Sequence, residues 1–252
     1  MKPLARDAGG HPVNKAGGTV GLIKPTDRPG SRSVDNLIKL LPPSIELIQT
    51  ALNITTGSIE ELEQALVDYE GKVAEMAERG VDLIHPAGVP PLLLGYRGER
   101  ELVDKWERLY KKPVFTNGMS QVNALRVFGA KRIVGASYFK GGVNKSFGDY
   151  LSQAGFDVLA MEGMNVEFQK VLTLDPAVIM QFVERLFVQF KAVDAIYLLG
   201  SAWPTLEMIE SMEAKFGVPV VHHITSQSWE MQKRLGLNCP APGYGRLIGE
   251  MP

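Results

Sequence analysis

The chain has 252 residues, 45% of them hydrophobic and 22% charged, and a formal net charge of −1. That balance is ordinary for a globular protein, and it offers no basic stripe for nucleic acid or for an anionic membrane. Cys239, the one cysteine, excludes an internal disulfide and a multi-thiolate metal centre, and the apolar runs are strand-sized, short of a membrane span. The expectation is a cytoplasmic protein, monomer or homo-oligomer, whose partner is a small molecule rather than nucleic acid or membrane.

Residues 1–17 are rich in Gly, Lys and Pro without periodicity; they read as a loose leader and do not resemble a secretory signal. A strand is expected over 19–23, followed by the breaker-rich loop Lys24-Pro25-Thr26-Asp27-Arg28-Pro29-Gly30. A short helix that closes over 37–41, before Pro42-Pro43, and a strand over 46–54 come next. Ser58 with Glu61 forms a capping-box pattern for a helix running to 79. Strand 81–86, a loop over 87–97 carrying Pro90-Pro91, helix 98–110, strand 113–116 and helix 120–128 complete a first half, 18–129. The second half, 130–239, repeats the rhythm with strand 132–137, helix 144–153 and strand 156–161. Asp175-Pro176 then opens a helix to about 191, proline sitting in the first turn where its missing N–H is harmless. Strand 194–199, helix 205–215, strand 218–221 and helix 226–235 follow, and 240–252 is a tail. Strands alternating with helices predict an α/β fold of parallel sheets covered on both faces, with ligands beyond the carboxyl ends of the strands.

Two echoes sharpen that picture. V-D-L-I-H-P-A-G at 81–88 matches V-D-A-I-Y-L-L-G at 193–200, so that Gly88 meets Gly200. P-V-F-T-N-G-M-S-Q at 113–121 matches P-V-V-H-H-I-T-S-Q at 219–227, in the same order. Two copies of one unit are implied: pseudo-symmetric halves, each a parallel sheet flanked by helices, with an active-site cleft between them near Gly88 and Gly200.

The strand tips hold the candidate chemistry. His85, His222 and His223 can act as acid or base near neutral pH; a buried strand-end histidine bonded to backbone is the competing reading. Adjacent strand residues point to opposite faces, so one of His222 and His223 is expected to be structural. No carboxylate cluster accompanies them, and no metal is expected. Tyr138 and Tyr197 add hydroxyls. Pro25, Gly88, Val89, Thr116, Asn117, Asn144, Gly200 and Ser201 complete the expected substrate-binding set. Ser201 opens toward a helix start and offers backbone N–H groups to an anion, unless it is a plain strand-to-helix turn. G-S-A-W does not fit the nucleophile elbow G-x-S-x-G, and neither Gly141-Gly142 nor Gly17-Gly18 makes a dinucleotide fingerprint.

Further pieces fall in a telling order: G-T-V-G-L-I-K-P at 18–25, V-D-L-I-H-P-A-G at 81–88, Y-R-G at 96–98 and A-K-R-I-V-G-A-S-Y at 130–138. V-N at 143–144, T-L-E-M-I at 205–209, F-G-V-P-V-V at 216–221 and P-G-Y-G-R-L at 242–247 close the series. In this order the chain resembles the aspartate/glutamate racemase superfamily, in its arylmalonate decarboxylase and maleate cis-trans isomerase branch. The resemblance implies a cofactor-free site that stabilises an enediolate-type anion beside a carboxylate, with one or two cysteines at the strand tips moving the proton. Those thiol positions fall on Gly88 and Gly200, and the hydroxyl donors after the first fall on Val89 and Pro90. Tyr138 matches the carboxylate-binding tyrosine. Racemisation and thiol-dependent isomerisation are then not expected. A decarboxylase-type lyase is, because its barrier falls mainly through stabilisation of developing charge. Its last proton would come from His85, Tyr197, His222, His223 or water. The substrate would be a small carboxylic acid or related carbonyl compound. The competing expectations are a hydrolase or hydratase whose histidine activates water, and a ligand-binding protein without turnover.

Overall fold

The computed structural model describes residues 17–27, 32–52, 54 and 59–252. Residues 1–16 of the expected leader, Arg28-Pro29-Gly30 and Ser58 of the capping-box pattern lie outside the described residues. The first sheet contains β1 (Thr19–Lys24), β2 (Glu46–Ala51) and β3 (Leu83–Pro86) in the order β2-β1-β3, all parallel. The second contains β4 (Arg132–Ser137), β5 (Asp157–Gly163), β6 (Ala195–Leu199) and β7 (Val220–His222) in the order β5-β4-β6-β7, also parallel. The expected strand at 113–116 shrinks to one bridge, Ile84 with Val114, in the place that β7 takes in the second sheet.

The echoed residues are the ones that lock the sheets. Asp82 accepts a hydrogen bond from the backbone of Thr19, at the start of β1 (2.8 Å). Asp194, its counterpart, accepts from the backbone of Lys131 (2.9 Å) and Arg132 (2.8 Å), at the start of β4. Glu107 takes the N–H of Val114 at 2.8 Å and Glu213 takes that of Val220 at 2.9 Å, so the second echo is also held by matching carboxylates.

The helices are α1 (Ser33–Leu40), α2 (Ile59–Glu78), α3 (Val89–Tyr110), α4 (Asn117–Val127), α5 (Gly142–Gln153), α6 (Phe168–Val171), α7 (Pro176–Phe187), α8 (Ile209–Phe216), α9 (His223–Arg234) and α10 (Arg246–Glu250). The loop expected over 87–97 is instead the start of α3. Pro90 and Pro91 fit its first turn, where no intrahelical N–H is needed, and Gly95 at φ 63° supplies the kink beyond them. Helices α4 and α9 each begin three residues earlier than their polar Ser-Gln pairs suggest. Thr116 Oγ1 caps α4 by accepting from Met119 N (3.1 Å), and His222 Nδ1 caps α9 by accepting from Ile224 N (3.2 Å).

These two helices are interchanged between the halves. Val122 and Leu125 of α4 share an apolar cluster with Ile133, Tyr197 and Leu199 of the second sheet. Ile224 and Met231 of α9 share another with Val20, Leu22 and Leu83 of the first. Two polar bonds repeat the exchange: Tyr197 of β6 donates to Gln121 of α4 (3.0 Å), and Gln227 of α9 meets His85 of β3 (2.7 Å). Gln121 and Gln227 are echo partners, as are Tyr197 and His85. Since α4 and α9 also pack on one another, the strand tips of both sheets face a common space.

Candidate active site

A cleft of about 730 Å³ occupies that space. Pro25, Gly88, Val89 and Asn117 line it from the first half, and Tyr138, Gly200, Ser201 and His223 from the second. Its remaining wall is mostly apolar and includes Leu22, Val34, Leu92, Phe147 and Leu199. Another hollow, about 660 Å³, runs between α2 and the end of β2, beside Glu61, Asp68, Lys72 and Glu75 and away from the strand tips.

Both tip glycines hold left-handed backbone, Gly88 at φ 98° and Gly200 at φ 101°. The space a side chain would need is also filled. A Cβ on Gly200 would stand 2.5 Å from Tyr138 Cε1, and one on Gly88 would stand 3.0 Å from Pro25 Cγ. Tyr138 is held there edge-on to Trp203, ring centroids 5.9 Å apart, and Trp203 donates to the carbonyl of Gly200 (3.1 Å).

Five of the expected site residues are not on the cleft wall. His85 is fully buried, stacked on Phe115 at 4.3 Å, with Nδ1 2.8 Å from Phe115 O and Nε2 2.7 Å from Gln227 Nε2. That network assigns a neutral ring, donating from Nδ1 and accepting at Nε2, and burial pushes its pKa down to about 3. His222 is spent in the same manner, with Nδ1 on Ile224 N and Nε2 3.1 Å from Thr205 Oγ1, and burial likewise lowers it to about 3. The hydroxyl of Tyr197 is used on Gln121, and burial raises its pKa. Asn144 accepts from Ser137 Oγ and donates to Phe139 O, bracing the turn after β4. Thr116, besides capping α4, donates to Glu99 Oε1 at 2.5 Å.

His223 is the exception among the imidazoles. Its neighbour is part of β7 while it opens α9, which sends the two rings apart. His223 lines the cleft, its Nδ1 is buried without a hydrogen-bond partner among the described residues, and desolvation lowers its pKa to about 4.

At the tip of the first half the backbone donors of Gly88 and Val89 are engaged. Gly88 N–H goes to Asn117 Oδ1 (2.7 Å). Val89 N–H is directed at the Tyr69 hydroxyl, which itself donates to Ala87 O, and Pro90 and Pro91 have no N–H. Gly88 and Val89 line the cleft, but among the described residues their N–H groups already have partners, so neither is free for an anion.

Lys24 was already visible in the sequence as a tip-loop residue without an assigned role, whereas the roles of Gln227 and Glu99 escaped sequence reading. Lys24, the last residue of β1, lines the cleft, and its Nζ lies 2.6 Å from Asp27 Oδ1. Gln227 was visible as the last letter of an echo, although nothing in the pattern announced its partner. Glu99, buried in the charged helix α3, receives Thr116 on one oxygen and the Tyr150 hydroxyl on the other, and burial raises its pKa to about 7.

Fold and site together define a two-sheet α/β protein with a largely apolar cleft between its halves. The chain belongs to the arylmalonate decarboxylase family, whose profile matches residues 20–248. It is 24% identical over 240 residues to arylmalonate decarboxylase of Bordetella bronchiseptica, covering 92% of this chain and 97% of that one. It is 23% identical over 209 residues to maleate isomerase of Nocardia farcinica, with coverage of 79% and 82%. Among solved structures, maleate isomerase from Pseudomonas putida matches with a TM-score of 0.82 at 20% identity, over 94% of this chain and 100% of that one. A doubly substituted arylmalonate decarboxylase in its liganded form matches at 0.81 and 21%, over 92% and 99%. The expected architecture of two parallel sheets flanked by helices is thus the observed one. No helix among the described residues is long and apolar enough to cross a membrane.

Proposed function

We propose that this protein is a cofactor-free lyase of the decarboxylase type, acting on a small and mainly apolar carboxylic acid without a thiol proton donor. The observation that carries the reading is His223, an imidazole on the cleft wall of a family member whose tip positions are glycine. Cys239 is exposed and lies beyond α9, so it does not stand in for a tip thiol. His85, Tyr197 and His222 are already committed to internal partners, which leaves His223 to move the proton.

The chemistry follows from the surroundings. Apolar walls strip water from the departing carboxylate, and Tyr138 and Ser201 stand beside the forming anion. The carbon–carboxylate bond breaks, carbon dioxide leaves, and the electron pair enters an enediolate. With its pKa lowered to about 4, His223 is neutral at pH 7 before substrate binds. Negative charge developing beside it favours its protonated form, so it takes a proton from solvent and passes it to carbon.

The test is phenylmalonate in D2O, followed by proton NMR. The wild type is expected to release carbon dioxide and leave α-deuterated phenylacetate. His223→Ala should lower kcat by about 10²-fold or more, in line with loss of general acid catalysis. Unchanged turnover in that variant would remove His223 from the mechanism. A second reading, water activation in a hydrolase or hydratase, draws on the same low pKa, which keeps His223 available as a base; solvent oxygen-18 in the product would favour it.

A further inference from the structure

The structure assigns Lys24 a further role: we infer that it is the counter-charge for one carboxylate of the ligand, which displaces Asp27 from it. The inference deepens the lyase reading by naming what recognises the substrate's acid group.

Lys24 ends β1, and the strand's alternation puts it on the same face as Leu22. Leu22 pairs in register with His85, on the face covered by α9, so Lys24 looks toward the part of the cleft that holds Gln227 and His223. Among the described residues of the cleft wall it is the one cation; the other charged members are Asp27 and Asp35. Both acids stand exposed at the rim, whereas the Lys24 side chain is only 18% exposed. An ammonium in that position, against an apolar lining, needs an anion. Asp27 supplies one at 2.6 Å, but its own side chain is 80% exposed. Such a pair holds weakly, because Asp27 exchanges Lys24 for water at little loss. A ligand carboxylate inside the cleft is better placed, since the lower dielectric there strengthens the same attraction.

The spent donors of the first tip point the same way. With the N–H groups of Gly88 and Val89 occupied and two prolines following, that half holds an acid by a side chain rather than by backbone. A single cation also limits the ligand. It pairs with one carboxylate, and a second acid group meets no further cation among the described residues of the cleft wall, only neutral polar groups and apolar wall. The class of ligand is therefore an apolar body with one firmly held carboxylate.

Binding of simple probes tests this without turnover. Phenylacetate and its uncharged relative benzyl alcohol would be titrated into wild type, Lys24→Met, Lys24→Arg and Asp27→Asn, with Kd read from proton–nitrogen NMR shifts. Lys24→Met should weaken phenylacetate at least tenfold and leave benzyl alcohol within twofold. Lys24→Arg should stay within a few-fold of wild type, and Asp27→Asn should tighten phenylacetate a few-fold. Phenylacetate bound equally by wild type and Lys24→Met overturns the inference, as does loss of acid and alcohol together or no binding of phenylacetate to wild type. Lys24-dependent phenylacetate binding with no turnover of phenylmalonate would sink the lyase reading and leave this one standing.

Discussion

At the scale of single residues, the tip glycines are fixed by what surrounds them. Gly200 sits at φ 101°, a region L side chains rarely adopt, and the volume beside it belongs to the Tyr138 ring. Any side chain there meets two penalties, backbone strain and overpacking. Gly200→Ala is therefore expected to destabilise the protein by roughly 2–4 kcal/mol in urea unfolding. Gly88→Ala should cost less, because its nearest obstacle is 3.0 Å away rather than 2.5 Å. A Gly200→Ala loss below about 0.5 kcal/mol, the scale of an ordinary surface change, would show that Tyr138 yields easily. It follows that introducing a cysteine at Gly200 without moving Tyr138 is not a clean test of thiol chemistry. The echo located Gly88 and Gly200, but composition alone could not reveal that aromatic and proline side chains had closed over both.

At the scale of elements, the strands were legible and the helix starts less so. The V-D aspartates and the apolar runs after them mark β3 and β6, because burial on both faces demands continuous apolar residues. The starts of α4 and α9 were hidden, since a histidine cap such as His222 carries no strong signal and Ser-Gln pairs suggest later starts. The region 87–97 was misread for a related reason: Pro90-Pro91 breaks a helix interior, yet in a first turn it opens one. The interchange of α4 and α9 was out of reach, because an echo shows which segments repeat but not which sheet each copy covers. Gln227 carries that interchange, and its loss measures it. Gln227→Ala would leave the buried Nε2 of His85 without its donor, and thermal or urea unfolding should show a loss of about 1–3 kcal/mol. If the change were neutral, the bond would be incidental to holding α9 on the first sheet.

At the scale of the whole molecule, the halves are coupled through a titratable group. Glu99 belongs to α3 and draws one hydroxyl from Thr116 of the first half and another from Tyr150, on α5 of the second. Burial raises its pKa from 4.5 to about 7, outweighing both hydroxyl donors and Arg100, while the neighbours that face it, Tyr150 and Tyr197, stay neutral. A raised folded pKa means that the unfolded chain releases this proton first. The contribution of Glu99 is then complete below about pH 4.5 and is lost as pH rises through about 7, on the order of 3 kcal/mol in all. His85 and His222 act in the opposite direction. Their folded pKa values of about 3 lie below the unfolded value of 6.5, so what they contribute is lost as pH falls from 6.5 toward 3. The total profile mixes the two trends, but the difference between wild type and Glu99→Gln isolates the first, because the histidines cancel. Relative to wild type, Glu99→Gln should gain stability steadily from pH 4.5 to 7 and then level off, as read by urea unfolding at each pH. A difference that stays flat across that window would mean that Glu99 is already ionised in the folded protein, held as a carboxylate by Thr116 and Tyr150 against the cost of burial.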